Sequence, residues 1–179
     1  DWDQFLDTIQ VDFMNIDVGL SQEAVPGARW LSKQGPNKGM IGIEPLPYNC
    51  ERLITGTGKN RHLPHLSLNE GLIKEGNIPL YSLEGRYNLL QGAIDNVECL
   101  GYSEFFIALP DTGNCSLIKE NIEQVDNPNA VGWVCHVPTF PLRFIFQYLE
   151  KYPIIENLKI DTEGNDINCV KSCGDYLNK

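Results

Sequence analysis

Positive charge is scarce in this chain of 179 residues, where 14 Lys and Arg face 24 Asp and Glu for a formal net charge of −10. That balance argues against a nucleic-acid backbone or an anionic membrane as the main partner. No apolar run approaches the ~18 residues that a membrane-spanning helix needs. Histidine is equally sparse: only His62, His65 and His136 occur, none at zinc-finger spacing, so no metal site is expected. Internal repeats, low-complexity tracts and a signal-peptide pattern are all missing, although the chain opens on Asp1 and not on Met. With 42% hydrophobic and 21% charged residues, the composition is that of one folded domain over 1–179.

Cysteine is present but not organised. Cys50, Cys99, Cys115, Cys135, Cys169 and Cys173 are scattered through apolar and loop contexts. A chain of this size does not need a disulfide framework, so reduced and mostly buried thiols in a cytoplasmic protein are expected. In that compartment the glycosylation-type "NCS" at 114–116 carries no meaning.

Strand and helix signals alternate, which predicts an α/β fold with a mostly parallel sheet. Strands are expected at 13–18, 39–45, 87–95 and 157–161, with a further extended piece in "VGWVCHVPTF" and a hairpin around Gly101. Helices are expected over 26–35 and 47–56, each with proline near its start and glycine at its end. A third follows from Leu142, Ile145, Phe146 and Leu149 at i, i+3, i+4 and i+7 between Pro141 and Pro153. A last helix is expected from Glu163 to Cys173, while glycine-rich 57–86 shows no period and reads as a long loop or insertion.

Three of these strands close on carboxylates: Asp17, Glu44 and Asp161. Beyond the carboxyl ends of parallel strands lies the ligand crevice, where such acids converge. Each alone has a plainer reading as a cap for the next helix; three in succession, with Gly19 two residues after Asp17, favour a shared site. Glu44 stands near the offset at which a second-strand acid accepts hydrogen bonds from a ribose diol. The phosphate half of a dinucleotide fingerprint is lacking: "DVGLSQEAVPG" has no G-x-G-x-x-G, and Asp17 and Glu23 would repel a pyrophosphate. A ribose without phosphates points to S-adenosylmethionine.

The segments "NIDVG" (15–19), "GIEPLPYN" (42–49), "GAID" (92–95), "DTGNCSLIK" (111–119), "VPTFPL" (137–142) and "LKIDTEGND" (158–166) together resemble methyltransferases of the FkbM type, within the class I Rossmann-like methyltransferases. The resemblance implies a three-layer sandwich whose last strands are lacking here, since the family's sheet has three more strands after 157–161. It implies that Asp17, Gly19 and Ser21 sit by the methionine part of S-adenosylmethionine. Glu44 and Pro45 would hold the ribose, and Ala93 and Ile94 would lie near the adenine. Asp161 and Glu163 would stand at the reaction centre. The activity implied is O-methylation of a sugar or another small hydroxylated acceptor. Two departures stand out: Leu20, Ser21 and Gln22 replace a glycine-rich stretch, and Arg143, read as a surface difference, takes the place of an acid. His136 is a weaker candidate base. The rival readings are an inactive methyltransferase-like binding module and an NAD-dependent enzyme. With those strands lacking, 157–161 would be an exposed edge: either the sequence is a fragment, the simpler account, or a second copy of the chain covers that edge.

Overall fold

The computed structural model describes residues 11–21, 27, 30–31, 33–55, 86–108, 115–123, 131–149 and 154–178. The expected insertion over 57–86 falls almost wholly outside them, as do Pro26, Ala28, Arg29 and Ser32 of the helix expected over 26–35; Gly27, Trp30 and Leu31 are helical, whereas 33–35 are not.

The chain is α/β, with a four-stranded parallel sheet and a smaller mixed sheet. In order the elements are β1 (Phe13–Val18), β2 (Lys38–Glu44), α1 (Pro47–Thr55), β3 (Tyr87–Gln91), β4 (Ala93–Ile94), β5 (Gly101–Ala108), α2 (Lys119–Glu123), β6 (Val131–Phe140), α3 (Leu142–Leu149), β7 (Ile154–Ile160) and α4 (Asp166–Lys171), then a 3₁₀ turn at Gly174–Asn178. The first sheet runs β3-β2-β1-β7, and the second runs β4-β6-β5.

β1 and β2 are buried along almost their whole length, as parallel strands covered on both faces must be. Alternation splits their side chains. Met14, Ile16, Val18, Ile41 and Ile43 join Leu158 and Ile160 of β7 on one face, where Leu142, Ile145, Phe146 and Leu149 of α3 and Cys169 of α4 pack on them. These four α3 positions all point inward, so the stripe read from the sequence is the stripe that is buried. Truncating one of them to Ala would cost about 2–5 kcal/mol. On the other face Leu20, Met40, Leu53 and Tyr87 form a second cluster with Leu31. There the Tyr87 ring lies over Gly42, where any side chain would collide with it.

Several expectations need correction. The strand expected over 87–95 is broken at Gly92, whose amide donates to the Glu44 carbonyl at 3.0 Å. A side chain at Gly92 would meet the Phe140 ring at 2.5 Å, so this glycine lets the chain turn from one sheet into the other. The hairpin around Gly101 does not form. Residues 95–100 hold no strand, and β5 pairs antiparallel with β6 instead, burying Phe105, Ile107 and Val137 on a shared apolar face. β7 starts three residues earlier than expected and ends at Ile160, leaving Asp161 in the following loop. The last helix begins at Asp166, because Glu163 and Gly164 adopt left-handed conformations, φ 52° and 99°, that no helix continues through. Arg143 is no mere surface difference: its guanidinium donates to the Val97 carbonyl and its amide to the Ser172 carbonyl, tying α3 to both neighbours. The outer edge of β7 carries no strand among the described residues. Among the same residues no helix is long and apolar enough to cross a membrane.

Candidate functional site

The seam between the two sheets opens into a cavity of about 210 Å³. That is several times the room one water takes, roughly 30 Å³, so an organic ligand fits. Its walls come from the carboxyl ends of the strands. Val18 ends β1 with Gly19 and Ser21 after it, Glu44 ends β2 with Pro45 after it, and Gly92, Ala93 and Ile94 form the corner. Asp161, Thr162, Glu163 and Asn165 follow β7, and Phe105, Cys115 and Leu117 close the far side. Eight of the nine residues singled out from the sequence therefore stand around one space: Gly19, Ser21, Glu44, Pro45, Ala93, Ile94, Asp161 and Glu163.

The ninth does not. Asp17 is the penultimate residue of β1, and strand alternation turns it to the face opposite Ile16 and Val18. There its carboxylate, 3% exposed, pairs with Lys159 Nζ at 3.0 Å. Burial raises its pKa despite that cation. Asp17 thus stands behind the wall of the cavity, next to Gly19 but not beside the ligand space.

Glu44 is the most enclosed acid that lines the cavity, 3% exposed. Its Oε1 accepts from the Leu46 amide and from Asn49 Nδ2, each at 3.0 Å. The Ser21 backbone also hydrogen-bonds the carboxylate. These donors do not match the loss of water, and burial pushes Glu44 up to about 7. A carboxylate held this way is poised to gain from a ligand that brings hydroxyl donors.

The loop after β7 is built with equal care. Gly19, at φ 83°, packs so closely on this loop that a Cβ would lie 1.8 Å from the Asp161 carbonyl oxygen. Asp161 N donates to the Val18 carbonyl at 3.0 Å, which extends the β1–β7 ladder one step past the strand. Glu163 is held in its left-handed conformation by Ser116 Oγ and Asn121 Nδ2, which donate to its carbonyl at 2.9 and 3.0 Å. Such a conformation in a non-glycine residue costs about 1–3 kcal/mol and gathers at functional sites. Asp161 does not cap the last helix. Asp166 does the local tethering, its Oδ1 accepting from Thr162 N at 2.9 Å and Thr162 Oγ1 at 3.1 Å, which lowers its pKa.

Sequence reasoning missed Asn49, Ser116, Asn121 and Asn165. Asn165 is buried, lines the cavity and donates to the Ile94 carbonyl at 3.0 Å, joining the β7 loop to β4. The signal was there in part: Asn49, Ser116 and Asn165 fall inside quoted motifs, "GIEPLPYN", "DTGNCSLIK" and "LKIDTEGND". His136 is exposed, opposite Glu104 on the outer face of the β5–β6 ribbon, and does not line the cavity. All six cysteines are free. Among the described residues no group of three or more His, Cys, Asp or Glu is arranged to hold a metal ion.

No family model, no curated protein and no solved structure matches the chain.

Proposed function

We propose that the chain is an S-adenosylmethionine-dependent methyltransferase on a Rossmann-like class I sandwich of the FkbM type, acting on a hydroxyl oxygen of a small acceptor such as a sugar. The observation that carries this reading is Glu44: a buried second-strand carboxylate lining a cavity at the strand ends, with three donors of its own and capacity to accept more. The strand order β3-β2-β1-β7, with the cavity beyond the carboxyl ends, supports it further. So does the charge of the walls. Glu44, Asp161 and Glu163 would repel a pyrophosphate and suit a sulfonium cation, which weighs against the NAD-dependent alternative. Six free thiols agree with a reducing, cytoplasmic setting.

Bound there, S-adenosylmethionine would supply an electrophilic methyl carbon. The work of the chain is then to hold and to accept. Glu44 accepts from the ribose hydroxyls, and Pro45, Ala93, Ile94 and Phe105 offer apolar surface to the adenine. Gly19 keeps backbone close to the ligand. Asp161, or Glu163 beside it, would take the proton of the acceptor hydroxyl as the methyl group passes from the sulfonium sulfur to that oxygen, the S–C bond breaking to leave S-adenosylhomocysteine as a neutral thioether. Orienting the two reactants supplies much of the acceleration, because the displacement is in-line.

One observation favours the second reading, an inactive binding module. The Asp161 side chain is 65% exposed and its ion pair with Lys159 is long, 3.6 Å, so the base lacks enclosure. Thermal-shift titration with S-adenosylmethionine, S-adenosylhomocysteine and NAD tests the cofactor, since a ligand that binds the native state raises its melting temperature. Preference for NAD would overturn the proposal. Assay of Asp161→Asn and Glu163→Gln on hydroxylated acceptors tests turnover: methyl transfer should fall by about 10²-fold or more in one of them while S-adenosylhomocysteine still binds. Binding without turnover in the unaltered protein would favour the binding module.

A further inference from the structure

Parallel strands covered on both faces are ordinarily apolar on both. β1 and β7 are not. On the face away from α3, their register sets Asn15 beside Asn157 and Asp17 beside Lys159. The first pair is self-sufficient, with Asn157 Nδ2 donating to Asn15 Oδ1 at 3.0 Å. The second reaches further. Lys159 Nζ lies 3.0 Å from Asp17 Oδ1 and 3.6 Å from Asp161 Oδ2, and it donates to the Gly19 carbonyl at 3.3 Å.

Three oxygens thus surround the ammonium: the Gly19 carbonyl accepts its hydrogen bond, and the Asp17 and Asp161 carboxylates are its ion-pair partners. They come from the ends of two neighbouring strands and the loops that follow. Asp17 and Gly19 lead out of β1, and Asp161 leads out of β7. Gly19 and Asp161 line the cavity, whereas Lys159 does not. Lys159 thus touches the wall from behind, at the point where Gly19 and the Asp161 backbone already pack without room for a Cβ.

We propose that Lys159 is a positioning residue of the ligand site, its ammonium clasping Asp17, the Gly19 carbonyl and Asp161 so that the loops leaving β1 and β7 form one fixed wall. This rests on the S-adenosylmethionine reading of that cavity. It goes beyond charge neutralisation. Were Lys159 only there to compensate the buried Asp17, removing both charges together would restore everything.

That difference gives the test. S-adenosylhomocysteine is titrated calorimetrically into the unaltered protein, Lys159→Met, Lys159→Arg and the double variant Asp17→Asn/Lys159→Met, with melting temperatures measured alongside. Lys159→Met leaves a buried carboxylate without its cation and should lose both melting temperature and affinity, the latter by about tenfold or more. Lys159→Arg, whose fork reaches the same acceptors, should stay within about threefold. The double variant should recover the melting temperature yet remain about tenfold weaker, since neither loop is clasped. Recovery of affinity together with stability in the double variant would overturn the proposal, as would unaltered binding by Lys159→Met. Failure of the unaltered protein to bind S-adenosylhomocysteine at all would instead overturn the cofactor reading on which the proposal rests.

Discussion

Replacing Glu44 by glutamine should move stability and ligand binding in opposite directions. In the folded chain burial holds this carboxyl at about 7, against 4.5 for an unburied glutamate. Between those values the native state keeps a proton that the unfolded chain has released. The stabilisation is therefore fully present below pH 4.5 and is lost as pH rises through about 7. A difference of about 2.5 units corresponds to ~3 kcal/mol. Glutamine removes the charge but keeps an oxygen to accept from the Leu46 amide and Asn49 Nδ2. Its amide nitrogen cannot accept from the Ser21 backbone, which returns about 1 kcal/mol. The net gain near neutral to alkaline pH is then about 2 kcal/mol, or roughly 4–8 °C in melting temperature for a chain of this size. Below about pH 5 the gain should vanish. Binding should do the reverse: S-adenosylhomocysteine affinity of the unaltered protein should drop about tenfold per unit below pH 7, and Glu44→Gln should bind weakly at every pH. Thermal melts and calorimetry of both proteins between about pH 5 and pH 8 read both effects. Parallel melting profiles for the two proteins would refute the reasoning. So would a glutamine variant that is less stable than the unaltered protein at the alkaline end.

Gly19→Ala combines a φ of 83° with a Cβ placed 1.8 Å from the Asp161 carbonyl oxygen, a backbone atom with no freedom to yield. We expect a loss of about 2 kcal/mol or more in urea unfolding, and weaker S-adenosylhomocysteine binding. An alanine variant as stable as the parent would mean that the two loops are not packed as described. For the thiols, Cys99 is exposed, whereas Cys50 and Cys169 are pushed up to about 12 by burial. A chromogenic disulfide reagent should titrate Cys99 rapidly in the native protein, and Cys50 and Cys169 only after denaturation. Fast native reaction at either buried thiol would contradict their packing.

Where a residue's fate depends on its neighbours in the chain, the sequence alone was enough. The α3 stripe is legible because burial follows the helical period, and the strands β1 and β2 because short runs dense in apolar residues between turn signals suit strands covered on both faces. The convergence of Gly19, Glu44 and Asp161 follows from strand polarity alone, since parallel strands end on the same edge. Tertiary structure decided the rest. Whether Asp17 faces the ligand or the opposite side turns on a two-residue alternation that an acid at a strand end does not reveal. Gly92 reads as strand until Phe140, nearly fifty positions on, occupies the place its side chain would need. Glu163 and Gly164 look like the start of a helix until Ser116 and Asn121 hold the Glu163 carbonyl. And Lys159 shows nothing of its reach in "LKID"; only the pairing of β7 beside β1 brings its ammonium among the Asp17 and Asp161 carboxylates and the Gly19 carbonyl.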